Sequence, residues 1–204
     1  MYPDGRSRQD VIHKRKEWQE KQKSLDITKL VFLDESGINL NMTRLYGWGK
    51  KNERVEDYVA DVRFERTSII SAIGLNGYIA PMMFSGTLDG DLFSGYVKQY
   101  LVRELNKDDI LILDNLSSHK VQGAVQPLID KGIKILWLPP YSPDLNPIEL
   151  SWSKVKSILR KLKATNLETL KEALKNALES VTKNDIKNWF KHNGYFFVPQ
   201  SPNV

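Results

Sequence analysis

Hydrophobic positions along the chain follow two rhythms, one with strand period and one with helix period. Short apolar runs bounded by turn signals read as strands at residues 30–36, at Thr67 to Leu75, at Tyr78 to Phe84, at Asp109 to Leu113 and at Ile133 to Leu138. Asn76-Gly77 between the second and third runs signals a hairpin, so that pair is antiparallel. Helical spacing governs Asp89 to Leu105, with Leu92, Phe93, Tyr96, Val97, Tyr100 and Leu101 expected against the sheet. His119 to Lys131 is a second expected helix, ended near Gly132. A third starts at Pro147 and buries Ile148, Trp152, Val155, Leu159 and Leu162. Asn166 to Val181 and Asp185 to His192 complete the helical part, the latter bearing Trp189 and Phe190. An antiparallel start followed by alternating strands and helices predicts an α/β fold, a mixed five-stranded sheet flanked by helices.

The flanking segments carry less pattern. Residues 1–25 are polar, and a helix over Gln9 to Lys23 has little apolar face beyond Val11, Ile12 and Trp18. They read as a solvated arm, ahead of a contact to DNA. Residues 38–66 mix Tyr46 and Trp48 with Lys50, Lys51, Arg54, Arg63 and Arg66, as an irregular or hairpin insertion would. A surface loop with an anchoring aromatic fits that segment. The tail from Tyr195 is apolar, fit to fold back on the core or to meet a partner.

Chemistry enters where the apolar runs stop. Asp34 ends the first, Asp114 the fourth, and Glu149 sits in the first turn of the helix that follows the fifth. A carboxylate at the end of a buried strand costs desolvation energy unless it is paired or bound to a metal. In open α/β sheets, ligands collect at the carboxyl ends of strands. Three converging carboxylates repel one another, and a hard, oxygen-seeking cation such as Mg²⁺ relieves that repulsion. Simpler roles compete. Asn146 as cap, Pro147 as first helical residue and Glu149 as third would make a capping box. Asp114-Asn115 would serve as turn residues, and Asp34 would cap a loop. Glu35 points to the opposite face from Asp34 and stays outside the expected site. His119 would orient substrate, relay a proton, or belong to the core. Asn115 and Asn146 would steady the ligand carboxylates or metal-bound water. On the third helix Ser153, Lys156 and Arg160 share a stripe with Glu149, and from Leu150 to Lys163 there are basic residues and no acids. That stripe, through Lys163, suits DNA phosphates, though an ordinary solvated face has the same look.

Composition narrows the field. The chain has 204 residues, 41% hydrophobic and 27% charged, which suits one soluble domain with a proper core. No apolar stretch reaches the length of a membrane span, and the first residues lack the apolar centre of a signal peptide. With no cysteine, disulfides, thiolate-held zinc and cysteine nucleophiles are excluded. Three histidines leave oxygen as the natural metal donor. The net charge of +5 is compatible with nucleic acid. No Gly-rich phosphate loop is present, which argues against a doubly wound nucleotide-binding protein.

The segments LDES (33–36), ILDN (112–115) and PPYSPDLNPIE (139–149), from about Asp26 to Tyr195, resemble the catalytic domain of DDE transposases. The Tc/mariner superfamily, with its bacterial insertion-sequence branch, is the nearest group. Its last two acids keep a narrow spacing, and 34 residues separate Asp114 from Glu149 here. The resemblance implies a ribonuclease-H-like fold, with Asp34, Asp114 and Glu149 as catalytic metal ligands. It implies two Mg²⁺ ions, replaceable by Mn²⁺, with Asp34 bridging them. The implied activity is hydrolysis at transposon ends, then attack of the freed 3′ hydroxyl on target DNA, without a covalent protein–DNA intermediate. Implied partners are DNA and a second copy in the synaptic complex. The implied location is cytoplasmic, on the bacterial nucleoid. In mariner relatives the segment matching 38–66 reaches a partner subunit or DNA. The expected division is a basic arm at 1–26, a catalytic domain at 27–195 and a tail at 196–204. Full-length relatives carry helix-turn-helix modules first, and none fits in the opening arm. That leaves a catalytic portion, a split transposase, or a silent DNA-binding or assembly protein that retains the fold.

Overall fold

The computed structural model describes residues 4–40, 42–44, 46–56, 66–116 and 118–197. The apolar runs become β1 (Leu30–Gly37), β2 (Thr67–Gly74), β3 (Gly77–Ser85), β4 (Ile110–Leu113) and β5 (Lys134–Trp137). Their order in the single sheet is β3-β2-β1-β4-β5. The β1–β2 and β2–β3 pairs are antiparallel, while β1–β4 and β4–β5 are parallel. This is the mixed five-stranded sheet that the apolar pattern implied. The tight turn is Leu75-Asn76, with Gly74 paired to Gly77, one residue earlier than Asn76-Gly77. Gly77 follows at φ 138°, a value that favours glycine.

Helices cover both faces. On one, Phe32, Ile73 and Ile112 pack against Trp152 and Val155 of α5 (Pro147–Leu162), Leu170 of α6 (Leu167–Glu179) and Phe190 of α7 (Lys183–His192). On the other, Val31, Leu33 and Leu111 pack against Phe93, Tyr96 and Leu101. These belong to α2 (Gly90–Tyr96), which passes through a π-helical turn (Val97–Leu101) into α3 (Val102–Glu104). Burying each such side chain contributes roughly 1.5–3 kcal/mol. Two residues expected in these faces are not there: Tyr100 is 49% exposed, and so is Leu162 in the last turn of α5.

The helix expected from His119 to Lys131 is mostly turn. Ser118–Lys120 is 3₁₀, and only α4 (Gln126–Asp130) is α-helical. Gly123 at φ 76° interrupts the run, and Pro127 restarts it in the first turn of α4.

The opening segment is not a solvated arm. Gln9–Gln22 is α1, and Val11, Arg15, Trp18 and Gln22 are buried. Trp18 Nε1 donates to the Tyr195 hydroxyl at 3.1 Å, and Gln22 Nε2 to the Gly194 carbonyl at 3.1 Å. The chain's opening helix and its closing residues thus lock together. Tyr195 is folded into the core, while Phe196 and Phe197 are exposed. In the 38–66 insertion Ile38 and Leu40 are buried, but Tyr46 and Trp48 stand out in solvent and anchor nothing among the described residues. No strand forms among the described residues of this insertion; its part at 57–65, like the tail past 197, lies outside them. Among the described residues no helix is long and apolar enough to cross a membrane.

Candidate active site

Register brings the first two acids level. In the parallel β1–β4 ladder Phe32 pairs with Ile112, and Asp34 and Asp114 each lie two residues further on. Strand alternation puts Asp34 on the Phe32 face, toward α5, and Glu35 on the other. Trp152 Nε1 of α5 donates to Asp34 Oδ2 at 3.2 Å. Glu35 instead lies 3.9 Å from Arg66 Nη2. Trp152 is one turn along the helix from Glu149. The start of α5 therefore faces the ends of both strands.

The result is a cleft of about 730 Å³ whose walls include Asp34, Asp114, Asn115, Asn146 and Glu149. Asn115 Nδ2 donates to the Leu138 carbonyl, tying the end of β4 to the end of β5. Leu116 N donates to Asp114 Oδ1 at 3.2 Å. Asn146 precedes α5 in extended conformation, but its side chain makes no capping bond. The capping box expected of Asn146 and Glu149 is absent. Instead Asn146 Oδ1 is buried without a hydrogen-bond partner.

His119 lies behind Asp114, 1% exposed, with its ring 4.6 Å from that of Phe93. Its Nδ1 stands 2.8 Å from Asp114 Oδ1, but the approach angle is not that of a hydrogen bond, and neither ring nitrogen has such a partner. Tyr141, 46% exposed, lines the same cleft at φ 54°, a strained value for a non-glycine residue.

The electrostatics are those of crowded acids. Burial pushes the Asp34 carboxyl well above the usual carboxylate range, and the charges of Glu149 and Asp114 add to it. The backbone hydrogen bond from Glu35 and the one from Trp152 oppose that shift without cancelling it. Glu149 reaches solvent, yet desolvation by the cleft walls raises it too; Asp114 adds to the rise and the Lys156 charge opposes it.

In kind, the donors suit a hard divalent cation. They are three carboxylates and an unpartnered amide oxygen, with no sulfur and no accessible imidazole. As they stand, no three Asp, Glu or His side chains among the described residues lie close enough together to hold an ion. Mutual repulsion opposes closer approach until positive charge arrives.

The expected DNA-contact residues sit apart from this cleft. Ser153 is exposed, Lys156, Arg160 and Lys163 are half-buried along α5, and none of the four is on its wall. Arg8, Asp10, Val11 and Lys14 of the opening segment are on that wall, which the sequence reading missed. The opening helix is fixed there by one network. Arg15 donates to Ser142 Oγ at 2.5 Å and to both Asp144 oxygens, at 3.1 and 2.7 Å. Arg6 adds a bond to Asp144 Oδ2 at 2.8 Å, and Asn193 Nδ2 donates to the Asp144 carbonyl at 2.6 Å. The sequence signal was faint: a single Arg between Val11 and Trp18 on a mostly polar helix.

The family model described as DDE superfamily endonuclease matches residues 29–171. No curated protein matches the chain. Solved structures do. The Mos1 mariner paired end complex with Mn aligns at TM-score 0.74 and 18% identity, covering 94% of this chain and 64% of that one. The Mos1 strand transfer complex aligns at 0.73 and 18%, covering 97% and 64%. The catalytic domain of Mos1 mariner transposase aligns at 0.69 and 15%, covering 97% and 98%. The chain thus has the ribonuclease-H-like fold of that domain, and spans less than two thirds of the longer chains.

Proposed function

The chain belongs to the DDE superfamily of endonucleases, and on that premise we propose that it is the catalytic portion of a Tc/mariner-type transposase. Asp34, Asp114 and Glu149 are its metal ligands and catalytic residues. The observation that carries this reading is their shared cleft, where Asp34 is held by Trp152 and pushed toward protonation first by burial and then by the other two acids. When bound, two Mg²⁺ ions, or Mn²⁺ in their place, would screen the acids, activate water or a 3′ hydroxyl and steady the departing oxygen of a phosphodiester.

The chain's own residues do the rest. Trp152 fixes one oxygen of Asp34, a residue on the cleft wall. Asn115 holds the β4 end against β5, so Asp114 cannot swing away. His119, aligned onto Asp114, would keep that carboxylate oriented, and Asn146 offers its free amide oxygen to a bound water. Ser153, Lys156, Arg160 and Lys163 form a phosphate-binding stripe leading away from the cleft. The substrates are transposon ends and target DNA, bound by two copies in a synaptic complex, on the bacterial nucleoid in the cytoplasm.

The test is nicking of supercoiled plasmid with Mn²⁺. Wild-type chain should nick, and Glu149→Gln should not, while both still bind DNA in Ca²⁺. Equal nicking by both, or none by either, sinks the catalytic reading. In the second case the chain is a silent DNA-binding or assembly protein.

A further inference from the structure

Beside the acid cleft lies a second basin of about 480 Å³, between α1 and the end of β5. Its charge is opposite: Lys14, Lys21 and Lys120 against the single acid Glu17. Glu17 Oε1 lies 3.1 Å from His13 Nε2. Lys14 makes no hydrogen bond or ion pair among the described residues. Lys120 lies 5.6 Å above the Trp137 ring and Lys21 6.0 Å above that of Trp18, contacts that hold both ammonium groups without neutralising them. The two basins are continuous, since Lys14, Asn115, Leu138, Pro139 and Pro140 line both.

That pairing has an electrostatic consequence. Three carboxylates repel a phosphodiester, so the acid cleft by itself expels the backbone of the strand it would cut. A strand is retained only where adjoining surface attracts its neighbouring phosphates. The cations of α5 lie off the cleft wall, whereas Lys14 stands on it. Apolar surface from Pro140 and Trp137, both half-buried, gives the sugar and base edge something to lie on.

We propose that this basin is a phosphodiester subsite for the nucleotides next to the scissile bond, so that the strand runs from the acids along α1 past Lys14 and Lys120. The subsite rests on the endonuclease reading and specifies the path of its substrate. It also gives α1 a part in binding DNA, through its exposed face, with Arg15 and Trp18 seating the helix from the buried one.

The measurement is binding of a fluorescent duplex with a single-stranded extension, in Ca²⁺, across a range of KCl. Lys14→Ala and Lys120→Ala should each weaken binding about three- to tenfold, and each should flatten the log affinity against log salt line by about 0.7–0.9. Lys14→Arg and Lys120→Arg should restore both quantities. Lys175→Ala, an exposed lysine of α6 paired with Glu179, should change neither. Unchanged slope and affinity in the alanine variants overturn the subsite alone. So does a loss that arginine does not rescue, because it would report on folding rather than charge. A wild-type chain that binds no DNA overturns the subsite and the endonuclease reading together.

Discussion

Asp144 and Asp34 are the same side chain put to opposite uses. Burial works against ionisation of Asp144, but the hydrogen bonds and charge of Arg15, with the charge of Arg6, outweigh it and hold its carboxyl below the usual range. The turn is tied down at several points: Ser142 by Arg15, the Asp144 carbonyl by Asn193, the Leu145 carbonyl by the Tyr195 hydroxyl. At the acid cleft the pattern reverses. Asp34 has the Trp152 indole and the Glu35 backbone as donors, and two acids for company. Asn146 Oδ1 and both nitrogens of His119 have no hydrogen-bond partner. That network holds the turn from which α5 starts, while Asn146, on the cleft wall, keeps an amide oxygen with no partner among the described residues. A fold can keep a strained site only if adjoining structure over-determines it. Here the surplus comes from α1 and the residues around Tyr195.

The largest effect should come from removing the Asp34 charge. Asp34→Asn should abolish Mn²⁺-supported cleavage, by about a thousandfold or more. The same change should stabilise the metal-free chain at neutral pH. The sign follows from proton linkage. With a raised folded value, native Asp34 keeps its proton at a pH where the unfolded chain has lost it. Wild-type stability therefore falls as pH rises from the unfolded value through the folded one, and Asn escapes that loss. An increase of about 0.5–2 kcal/mol, or about 2–6 °C in Tm, is expected from thermal melts in chelator. Lower stability of the Asn variant at pH 7 would mean that Asp34 is a structural carboxylate like Asp144.

How the two regions were written in the sequence differs just as much. Asp34 and Asp114 were legible because four-residue apolar runs drive straight into them, and a strand cannot hide a charge at its end without a purpose. The α5 helix was legible from Pro147 and the spacing of Ile148, Trp152, Val155 and Leu159, all buried. The docking of α1 was not. Its buried face includes Arg15 and Gln22, whose partners Ser142, Asp144 and Gly194 lie 127 to 172 residues away. Polar burial of that sort has no period to read. The helix expected over 119–131 failed for a local reason, since Gly123 in the left-handed region outweighs the apolar spacing around it. Asn146 misled in the other direction: its type fits a cap, and the structure leaves its oxygen free.

Breaking the satisfied network should cost stability first and catalysis second. Arg15→Ala leaves Ser142 with only its bond to the Pro140 carbonyl and the Asp144 carboxylate with Arg6 as its remaining cation. Loss of one partner of a fully buried pair costs about 3–5 kcal/mol. The Asp144 side chain is 39% exposed and can regain water, so about 1–3 kcal/mol is expected here. That corresponds to a fall of about 3–9 °C in Tm. The same variant should raise the Mn²⁺ concentration needed for half-maximal nicking, because the turn that starts α5 loses its tether. Arg8→Ala, whose pair with Asp10 is exposed on both sides, is the control and should leave the melting temperature unchanged. Equal melting temperatures for the Arg15 and Arg8 variants would dissolve the contrast between the two regions.

The smallest effect tests the same contrast on a third carboxylate. Asp185 accepts from Lys154 Nζ of α5 at 2.6 Å and caps α7 through Thr182 N at 2.8 Å and Thr182 Oγ1 at 2.7 Å. The bond from Lys154, then those from Thr182, hold its carboxyl down at about 2. A lowered folded value reverses the sign found for Asp34: the stabilisation is present above the unfolded value and is lost as pH falls toward 2. Lys154 and Asp185 are 34% and 29% exposed, so solvent screening trims the effect to about 1 kcal/mol. In melts between about pH 5 and about pH 2, Asp185→Asn should be less stable than wild type at the upper end, by about 2–4 °C, and should converge with it at the lower end. Asp34→Asn, followed over the same range and on to neutrality, should converge with wild type at low pH and rise above it with increasing pH. Opposite signs from two buffered comparisons separate a carboxylate held by its neighbours from one repelled by them, and the same sign from both would leave no electrostatic ground for distinguishing them.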